Sequence, residues 1–269
     1  MYLDTMNMIS LLTDYGIKDS YVAEVKGVML RINPEATIVD ISHDVGNYEI
    51  SSGAFHMTRS ALYFPEGTVH VGVVDPTVGS SRKAIIIKTE QAWFVGPDNG
   101  LLSPAAERLG VQTVYEITGH PEFPRKVSDV FDGRDTFGPT GALLSRGVSP
   151  KDIGKEIDNY VKSEMYNPKI RDDTVYSEII HVDGFGNCVT NITYETLDKL
   201  KVKENYTFEL KVGEKKIKLP YLRRFSQVPE GDPLLLVAGG GYLEVAVNQG
   251  NASNSIGLSK GDKIELILL

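Results

Sequence analysis

Residues 8–41, MISLLTDYGIKDSYVAEVKGVMLRINPEATIVDI, contain the pattern that decides the fold. The apolar run at residues 8–12 predicts a buried strand. Between residues 20 and 32 apolar side chains recur every three or four positions, which indicates a helix that packs one face against a core. Residues 37–41 predict a second strand. A strand, a helix and a strand in this order indicate a parallel β-α-β unit.

The same alternation continues through the first half of the chain. We predict a further helix at residues 50–62, followed by strands at residues 68–74, 84–89 and 92–95. This order is typical of an α/β domain with a largely parallel sheet. Binding sites in such domains lie where the strands end in loops.

The pattern changes after residue 161, beyond which most segments resemble short strands. They are predicted at residues 176–181, 207–210, 216–219, 234–237, 242–247 and 263–268. Turn residues such as Gly213 and Gly261 separate them. We therefore predict two domains, an α/β domain over residues 1–170 and a smaller β-barrel or sandwich domain over residues 171–269.

The composition excludes several classes of protein. A hydrophobic content of 41% and a charged content of 24% over 269 residues describe a globular protein. The net charge of -8 argues against a nucleic-acid partner. No apolar run reaches the roughly 20 residues that a membrane helix needs, and residues 1–10 lack the pattern of a secretory signal. We expect a cytoplasmic enzyme or binding protein without a membrane partner.

Cysteine and histidine usage argues against a metal site. Cys188 is the single cysteine, so an intrachain disulfide and a multi-cysteine metal site are excluded. The five histidines are scattered, and no pair has the spacing of metal ligands. We assign no metal.

The stretch TDYG at residues 13–16 follows the first predicted strand. A carboxylate such as Asp14 at the end of a strand can accept two hydrogen bonds from a ribose diol. An aspartate that caps a helix or stabilises a turn explains the same pattern equally well.

A second polar stretch, VDPTVGSSR at residues 74–82, pairs an acid with a base across a glycine-containing loop. Arg82 next to Asp75 would keep the carboxylate ionised, and together they can fix a small polar ligand or a water molecule. A structural salt bridge is at least as common an explanation.

The third stretch, FDGRDTFGP at residues 131–139, places charges between aromatic residues and glycines. It indicates a tight loop at a buried site that contains Asp132. The alternative is a simple turn before a helix from Thr140 onward, with Asp135 stabilising the N-terminus of that helix.

The fourth stretch, DGFGN at residues 183–187, belongs to the second predicted domain. Asn187 can read an adenine edge through its paired donor and acceptor, and Phe185 can stack on the ring. A β-turn rich in glycine and asparagine is equally plausible. The triplet at residues 239–241, GGG, is not a dinucleotide fingerprint, because no strand-turn-helix unit surrounds it.

Taken in order, these stretches resemble the S-adenosylmethionine (SAM) hydroxide adenosyltransferases, the group that also contains the SAM-dependent chlorinase and fluorinase. The resemblance covers essentially the whole chain. Its motifs are LTDYG at 12–16, DISH at 40–43, YFP at 63–65, HVGVVDP at 70–76, GPDNG at 96–100, FGN at 185–187 and LEVAVN at 243–248.

The resemblance implies a two-domain chain that forms a homotrimer, with active sites between the first domain of one subunit and the second domain of its neighbour. It implies that Asp14 binds the ribose hydroxyls. Phe185 and Asn187 would bind the adenine, and Asp183 would bind the methionine ammonium. SAM is then the substrate, and no cofactor is expected.

For the nucleophile, the resemblance implies that Asp75 and Arg82 position water. Hydrolysing members of the family carry histidine where this chain has Asp132. The chain also has Thr77 where relatives have glycine. Near the methionine carboxylate, which we assign to Gly239 and Gly240, relatives have Asn-Ser where this chain has alanine and Gly239.

The predicted reaction is in-line attack of water on the ribose 5′ carbon of SAM, which gives adenosine and methionine. We hypothesise that Asp132 replaces histidine as proton acceptor and shares Arg82 with Asp75. Two carboxylates and one guanidinium leave net negative charge, which suits a cationic substrate and disfavours a halide. The alternatives are a protein that binds SAM or adenosine without turnover, and a chlorinase. The sequence leaves open which sulfonium epimer is used.

Overall fold

The computed structural model describes residues 7–163, 165 and 168–269. The chain divides into two compact units, Met1–Ser163 and Glu164–Leu269. Residues 1–6, 164, 166 and 167 lie outside the described residues, and so does most of residues 1–10, the segment predicted to lack a secretory signal. In the described part of the chain, no helix has the length and apolar character required to cross a bilayer.

The first unit contains seven strands and five α-helices among its described residues. The strands are β1 (Met8–Thr13), β2 (Thr37–Ser42), β3 (Val69–Val73), β4 (Ala84–Thr89), β5 (Trp93–Pro97), β6 (Val111–Ile117) and β7 (Gly154–Ile157). The helices are α1 (Tyr21–Ile32), α2 (Ile50–Ala61), α3 (Ser103–Arg108), α4 (Gly138–Ser145) and α5 (Pro150–Ile153), with a π-helical turn at Gly133–Phe137.

The strands of this unit form one sheet in the order β2-β1-β3-β5-β4-β6-β7. The ladders between β1 and β2, between β1 and β3 and between β3 and β5 are parallel. The ladders that join β5, β4, β6 and β7 are antiparallel, because a tight turn after Thr89 sends the chain directly back as β5. The predicted α/β fold class is confirmed, and an antiparallel extension completes the sheet.

The core of the first unit lies where α1 and α4 contact each other and pack near the parallel strands. Helix α1 buries Val22, Val25, Met29 and Ile32, which is the apolar face that the sequence predicts. Helix α4 approaches β3 so closely that a Cβ atom at Gly141 would lie 2.5 Å from the Val71 side chain. This close packing fixes the start of α4, and with it the π-helical turn that precedes it.

The second unit is built almost entirely from antiparallel strands. They are β8 (Lys169–Arg171), β9 (Thr174–Val182), β10 (Cys188–Thr193), β11 (Thr207–Val212), β12 (Lys215–Pro220), β13 (Pro233–Val237), β14 (Tyr242–Val247) and β15 (Lys263–Leu268). The unit also has a helix α6 (Tyr194–Lys199), a 3-10 turn at Phe225–Gln227 and a π-helical turn at Ser253–Gly257.

The strand order in the second unit is β12-β11-β15-β9-β10-β14-β13, with β8 beside β9. Tyr221, which follows β12, forms a bridge with Leu235 of β13, so the two ends of the sheet meet. The sheet is therefore a nearly closed barrel around a core that includes Phe208, Leu243 and Leu266. This agrees with the predicted β-barrel.

Candidate active site

The site residues of the first unit lie at the carboxyl ends of its parallel strands. Asp14 is the first residue after β1, and Asp75 is the second residue after β3. His43 is the first residue after β2. Because β1, β2 and β3 are parallel neighbours, their ends lie at the same edge of the sheet.

A cleft of about 800 Å³ opens at this edge. This volume lies within the range of about 300–1,000 Å³ that is typical of small-molecule sites. Among the described residues that line the cleft, the charged ones are Asp14, Asp19, Asp75, Asp132, Asp135, Arg125 and Arg134. The excess of carboxylates favours a cationic ligand.

Asp75, Arg82 and Asp132 form one hydrogen-bonded row. The Arg82 guanidinium donates from Nε to Asp75 Oδ2 over 2.8 Å. Its Nη2 lies 2.5 Å from Oδ2 of both Asp75 and Asp132. The side chains of Asp75, Arg82 and Asp132 are 5%, 11% and 11% exposed, so these ion pairs are shielded from water. The guanidinium also lies over the ring of Phe137, 5.2 Å from its centre.

Lys126 adds a second cation that the sequence analysis missed. Its Nζ lies 3.2 Å from Oδ1 of Asp132 and 3.4 Å from Oδ1 of Asp129. Two carboxylates, Asp75 and Asp132, therefore face two cations, Arg82 and Lys126. The prediction did not include Lys126, but this lysine is shared with the exposed Asp129, so three carboxylates and two cations still leave a net negative charge around the row.

The contacts of Asp132 set its protonation state. Burial raises the pKa of this carboxyl, but hydrogen bonds from Arg82 and Lys126 outweigh burial and hold the pKa below its usual value. Burial also disfavours the charged form of Arg82 and so lowers its pKa. The hydrogen bonds to Asp75 and Asp132 outweigh burial, and the pKa of Arg82 is raised above its usual value. Both groups are ionised near neutral pH, and Asp132 is a weak base.

The π-helical turn Gly133–Phe137 brings Asp132 and Asp135 to the cleft. Arg134 donates from Nε to Oδ1 of Asp135 over 2.7 Å and from Nη1 to Glu24 over 3.0 Å. The following helix α4 begins at Gly138, not at Thr140. Asp135 is thus buried in an ion pair inside the turn and does not cap the helix.

A second cavity of about 610 Å³ lies behind the row. Arg82, Lys126 and Asp132 line this cavity, whereas Asp75 and Asp132 line the cleft. Asp132 therefore faces both spaces.

Tyr15 is another cleft residue that the sequence analysis did not assign. Its ring packs edge-on against Tyr21 and Phe131. Burial, together with the charges of nearby carboxylates, raises the pKa of Tyr15 above its usual range, so the phenol stays neutral. A Cβ atom at Gly133 would collide with the Tyr15 hydroxyl, which explains the glycine there. In the sequence, the position of Tyr15 directly after Asp14 was the one signal that it could line the site.

Asp14 is held by the loop that follows β2. Its Oδ2 accepts a hydrogen bond of 2.9 Å from the backbone N–H of Tyr48, whose φ is 65°. The preceding Thr13 contacts Nδ1 of His43 through its Oγ1 over 2.8 Å, and Nε2 of His43 lies 3.1 Å from Oδ1 of Asp40. The carboxylate of Asp14 is thus fixed at the rim of the cleft.

The predicted residues of the second unit share one turn. Asp183 Oδ1 accepts hydrogen bonds of 2.9 Å from the backbone N–H groups of Phe185 and Asn187. Its Oδ2 accepts a third from the Asn187 side chain over 3.0 Å. The Phe185 side chain is 81% exposed. The turn therefore presents an aromatic ring to its surroundings on a rigid backbone.

Gly239 and Gly240 lie in the hairpin between β13 and β14. The hairpin is closed by hydrogen bonds from Ala238 N to Tyr242 O over 3.1 Å and from Gly241 N to Ala238 O over 2.8 Å. A Cβ atom at Gly239 would meet nothing within 4 Å. The structure thus gathers Asp14, Asp75, Arg82 and Asp132 in one unit, and it places the other predicted residues in two turns of the second unit.

Histidine, cysteine, aspartate and glutamate are the side chains that most often bind metal ions in proteins. Over residues 7–163, 165 and 168–269, no group of three or more of these side chains is arranged to hold a metal ion.

Two family models match the chain. The SAM hydroxide adenosyltransferase N-terminal domain matches residues 9–154, and the C-terminal domain of the same family matches residues 177–265. Together they cover most of the sequence. The chain belongs to the SAM hydroxide adenosyltransferase family.

Similar proteins include an (R)-S-adenosyl-L-methionine hydrolase from Methanocaldococcus jannaschii. It is 35% identical over 98% of this chain and 97% of its own length. A fluorinase from Actinoplanes sp. is 28% identical over 90% of this chain and 91% of its own. An uncharacterised conserved protein from Thermotoga maritima has a crystal structure that superposes with a TM-score of 0.91 and 38% identity, covering 97% of this chain and all of that one.

Proposed function

We propose that this chain hydrolyses (R)-S-adenosyl-L-methionine to adenosine and L-methionine. The observation that carries the proposal is the row of Asp75, Arg82 and Asp132 at an acidic cleft in a member of this family. The name of the Methanocaldococcus jannaschii relative supports the choice of the (R) epimer.

The proposed reaction is a single displacement. A water oxygen forms a bond to the ribose 5′ carbon while the bond from that carbon to sulfur breaks, and its electron pair stays on sulfur. Methionine leaves as a neutral thioether and needs no general acid. The water gives up one proton, and atoms and charge balance without a cofactor. Positioning of the water can lower the barrier by several kcal/mol, up to about 7–11 kcal/mol in ideal cases.

We assign the first-unit residues by what they can reach. Asp14 binds the ribose hydroxyls, since its carboxylate is fixed at the cleft rim. Asp75 accepts a hydrogen bond from the attacking water, and Arg82 holds Asp75 in place. Asp132 accepts the proton that the water loses. The attacking water becomes a protonated alcohol, which is a far stronger acid than a carboxylic acid, so even a weakly basic carboxylate can accept this proton late in the reaction.

The second unit completes the proposed site. Phe185 stacks on adenine, Asn187 reads its edge and Asp183 orients both through the turn that it stabilises. In the family pattern Asp183 binds the methionine ammonium. Open space beside Gly239 leaves room for the methionine carboxylate, which we assign to Gly239 and Gly240. The domain assignment of these roles, residues 1–170 for ribose and nucleophile and 171–269 for adenine and methionine, is part of the proposal.

We further propose a homotrimer in which one subunit's second unit supplies these contacts to the cleft of a neighbour. The exposure of Phe185, Tyr48 and Val127, all large apolar side chains, supports a partner surface. A cytoplasmic location is also proposed, because the chain has one cysteine and that cysteine is buried.

One observation favours a second candidate function, namely binding of SAM without turnover. The pKa of Asp132 is lowered by Arg82 and Lys126 despite burial, so the residue at the proton-accepting position is a weak base. A protein that holds the substrate but lacks an effective proton acceptor would release no adenosine.

The deciding experiment incubates the purified protein with each SAM epimer, with and without chloride, and separates the products by chromatography. Adenosine that forms faster from the (R) epimer supports hydrolysis. Heat of binding in a calorimeter without adenosine supports the binding protein, and 5′-chloro-5′-deoxyadenosine that appears only with chloride supports a chlorinase. An Asp75→Asn variant serves as the control for contaminating activity, since it should release adenosine at least tenfold more slowly.

A further inference from the structure

Lys126 contacts the buried row of Asp75, Arg82 and Asp132 from outside the cleft. It lies on the loop between β6 and the π-helical turn, and its side chain is 45% exposed. It lines the second cavity and not the cleft. Its ammonium nevertheless reaches Asp132, which lines both. Lys126 can therefore act on the reaction through Asp132 without touching a substrate in the cleft.

The two oxygens of Asp132 have different partners. Oδ2 accepts from Arg82 Nη2, whereas Oδ1 faces Lys126 Nζ at 3.2 Å and Thr136 Oγ1 at 3.3 Å. Cations on both oxygens fix the plane of the carboxylate. Without Lys126, Oδ1 would keep only the long hydrogen bond from Thr136, and the row would carry a net negative charge.

We propose that Lys126 is a positioning residue for hydrolysis, which holds the carboxylate of Asp132 in the orientation that receives the proton from the attacking water. The proposal rests on the proposed function. It assigns a role to a residue that neither the sequence motifs nor the row of Asp75, Arg82 and Asp132 includes. Because Lys126 is outside the cleft, its removal should affect turnover and not substrate capture.

Two effects of removing the cation oppose each other. The pKa of Asp132 would rise, which strengthens the base, and the carboxylate would lose its fixed orientation. A misplacement of about 1 Å can cost about a hundredfold in rate. A pKa increase of one unit raises the rate of a proton transfer only a few-fold when the Brønsted slope is near one half. Orientation therefore dominates, and we expect kcat to fall about tenfold.

The test measures kcat and KM for (R)-SAM in Lys126→Met and Lys126→Arg, each in the wild-type and Asp132→Asn backgrounds. We expect Lys126→Met to lower kcat about tenfold with KM within threefold of wild type. Lys126→Arg, which keeps the positive charge, should have a kcat within threefold of wild type. In the Asp132→Asn background, Lys126→Met should change kcat less than twofold.

Two controls separate this role from anchoring of the loop. Asp129→Asn removes the other partner of Lys126 and should leave kcat within twofold of wild type, as should Lys155→Met, which breaks an exposed pair of similar length with Glu116. If Lys126→Met leaves kcat within twofold, or lowers it equally in the Asp132→Asn background, the proposed role is wrong.

If the wild-type protein releases no adenosine, the proposed function is wrong, but the contact between Lys126 and Asp132 can still be tested. In that case wild type, Lys126→Met, Asp132→Asn and the double variant are compared by thermal unfolding. Lys126→Met should lower Tm when Asp132 is present and leave Tm unchanged in the Asp132→Asn background. Equal shifts in both backgrounds would show that Lys126 does not hold Asp132.

Discussion

Replacement of Arg82 by methionine is the most direct test of the buried row. Methionine keeps much of the apolar stem, but it removes the guanidinium, which joins Asp75 to Asp132 and lies over the Phe137 ring. Two nearly buried carboxylates would then face each other without the cation between them. The variant should be less stable than wild type, and it should release adenosine much more slowly.

The size of the loss follows from the burial of the three side chains. Removing one partner of a buried ion pair destabilises a protein by about 3–5 kcal/mol. Lys126 still neutralises Asp132 in the variant, so we take the lower end, about 3 kcal/mol. For a chain of this size about 1 kcal/mol corresponds to about 2–4 °C in Tm, which predicts a decrease of about 6–12 °C.

The pH dependence has a definite sign. Burial raises the pKa of Asp132, but Arg82 and Lys126 lower it further than burial raises it. The carboxylate therefore stabilises the wild-type fold above its unfolded-state pKa of about 3.9, and this contribution is lost as the pH falls through the lower folded-state value. Without Arg82 the contribution shrinks. The difference in Tm between wild type and variant should be largest near pH 7 and should decrease below about pH 4.

Thermal unfolding followed by circular dichroism from pH 3 to pH 8 measures both quantities. Arg223→Met is the matched control, because Arg223 forms an exposed ion pair with Glu204, and such pairs contribute about 0–1 kcal/mol. If Arg82→Met lowers Tm by less than 2 °C at pH 7, the proposed contribution of the buried row to stability is wrong. It is also wrong if the difference grows on acidification.

Three further predictions concern the reaction itself. Asp132→Asn should lower kcat for (R)-SAM about 10²-fold or more, which steady-state adenosine release measures, because a side-chain base contributes about 10²–10⁴-fold. Asp14→Asn should raise KM about tenfold or more and change kcat less, since a hydrogen bond to a charged group contributes about 1.5–3 kcal/mol. The acidic cleft should bind the SAM sulfonium more tightly than its neutral thioether analogue, and 0.5 M salt should narrow this difference in calorimetric Kd values.

Much of the first unit was predictable because its central strands consist mainly of apolar residues. Residues 8–12, 68–74 and 84–89 are mostly buried, and their composition identifies them as strands. The edge strand β7 and its neighbour β6 were missed. Their exposed positions carry polar residues such as Gln112, so no apolar run marks them.

Strand β10 was missed for a different reason. Its polar residues are buried because partners distant in sequence satisfy them. Thr190 donates to the backbone carbonyl of Leu243, and Asn191 accepts from the hydroxyl of Ser177. A sequence pattern cannot reveal such partners, so a Thr-Asn stretch resembles a turn.

The candidate site also contains residues that the sequence identified and one that it did not. Asp14, Asp75 and Arg82 were identifiable because each follows or faces the end of a predicted strand. Lys126 was not, because its loop has no periodic pattern and a lysine six residues before an aspartate is usually an exposed surface charge. The two side chains meet where the loop that carries Lys126 reaches Asp132, directly before the π-helical turn.

The charges around Asp132 make sense when the movement of positive charge is followed through the proposed reaction. The positive charge begins on sulfur, in a cleft whose lining is mainly carboxylate, and it ends as a proton on Asp132. A carboxyl between Arg82 and Lys126 holds that proton weakly, because both cations favour its ionised form. The proton is then released into the second cavity, which Asp132 also lines. A low pKa thus slows proton capture by Asp132 but speeds the return of the site to its starting state. A weak base is sufficient because the proton is captured late in the displacement, when the attacking water has become strongly acidic.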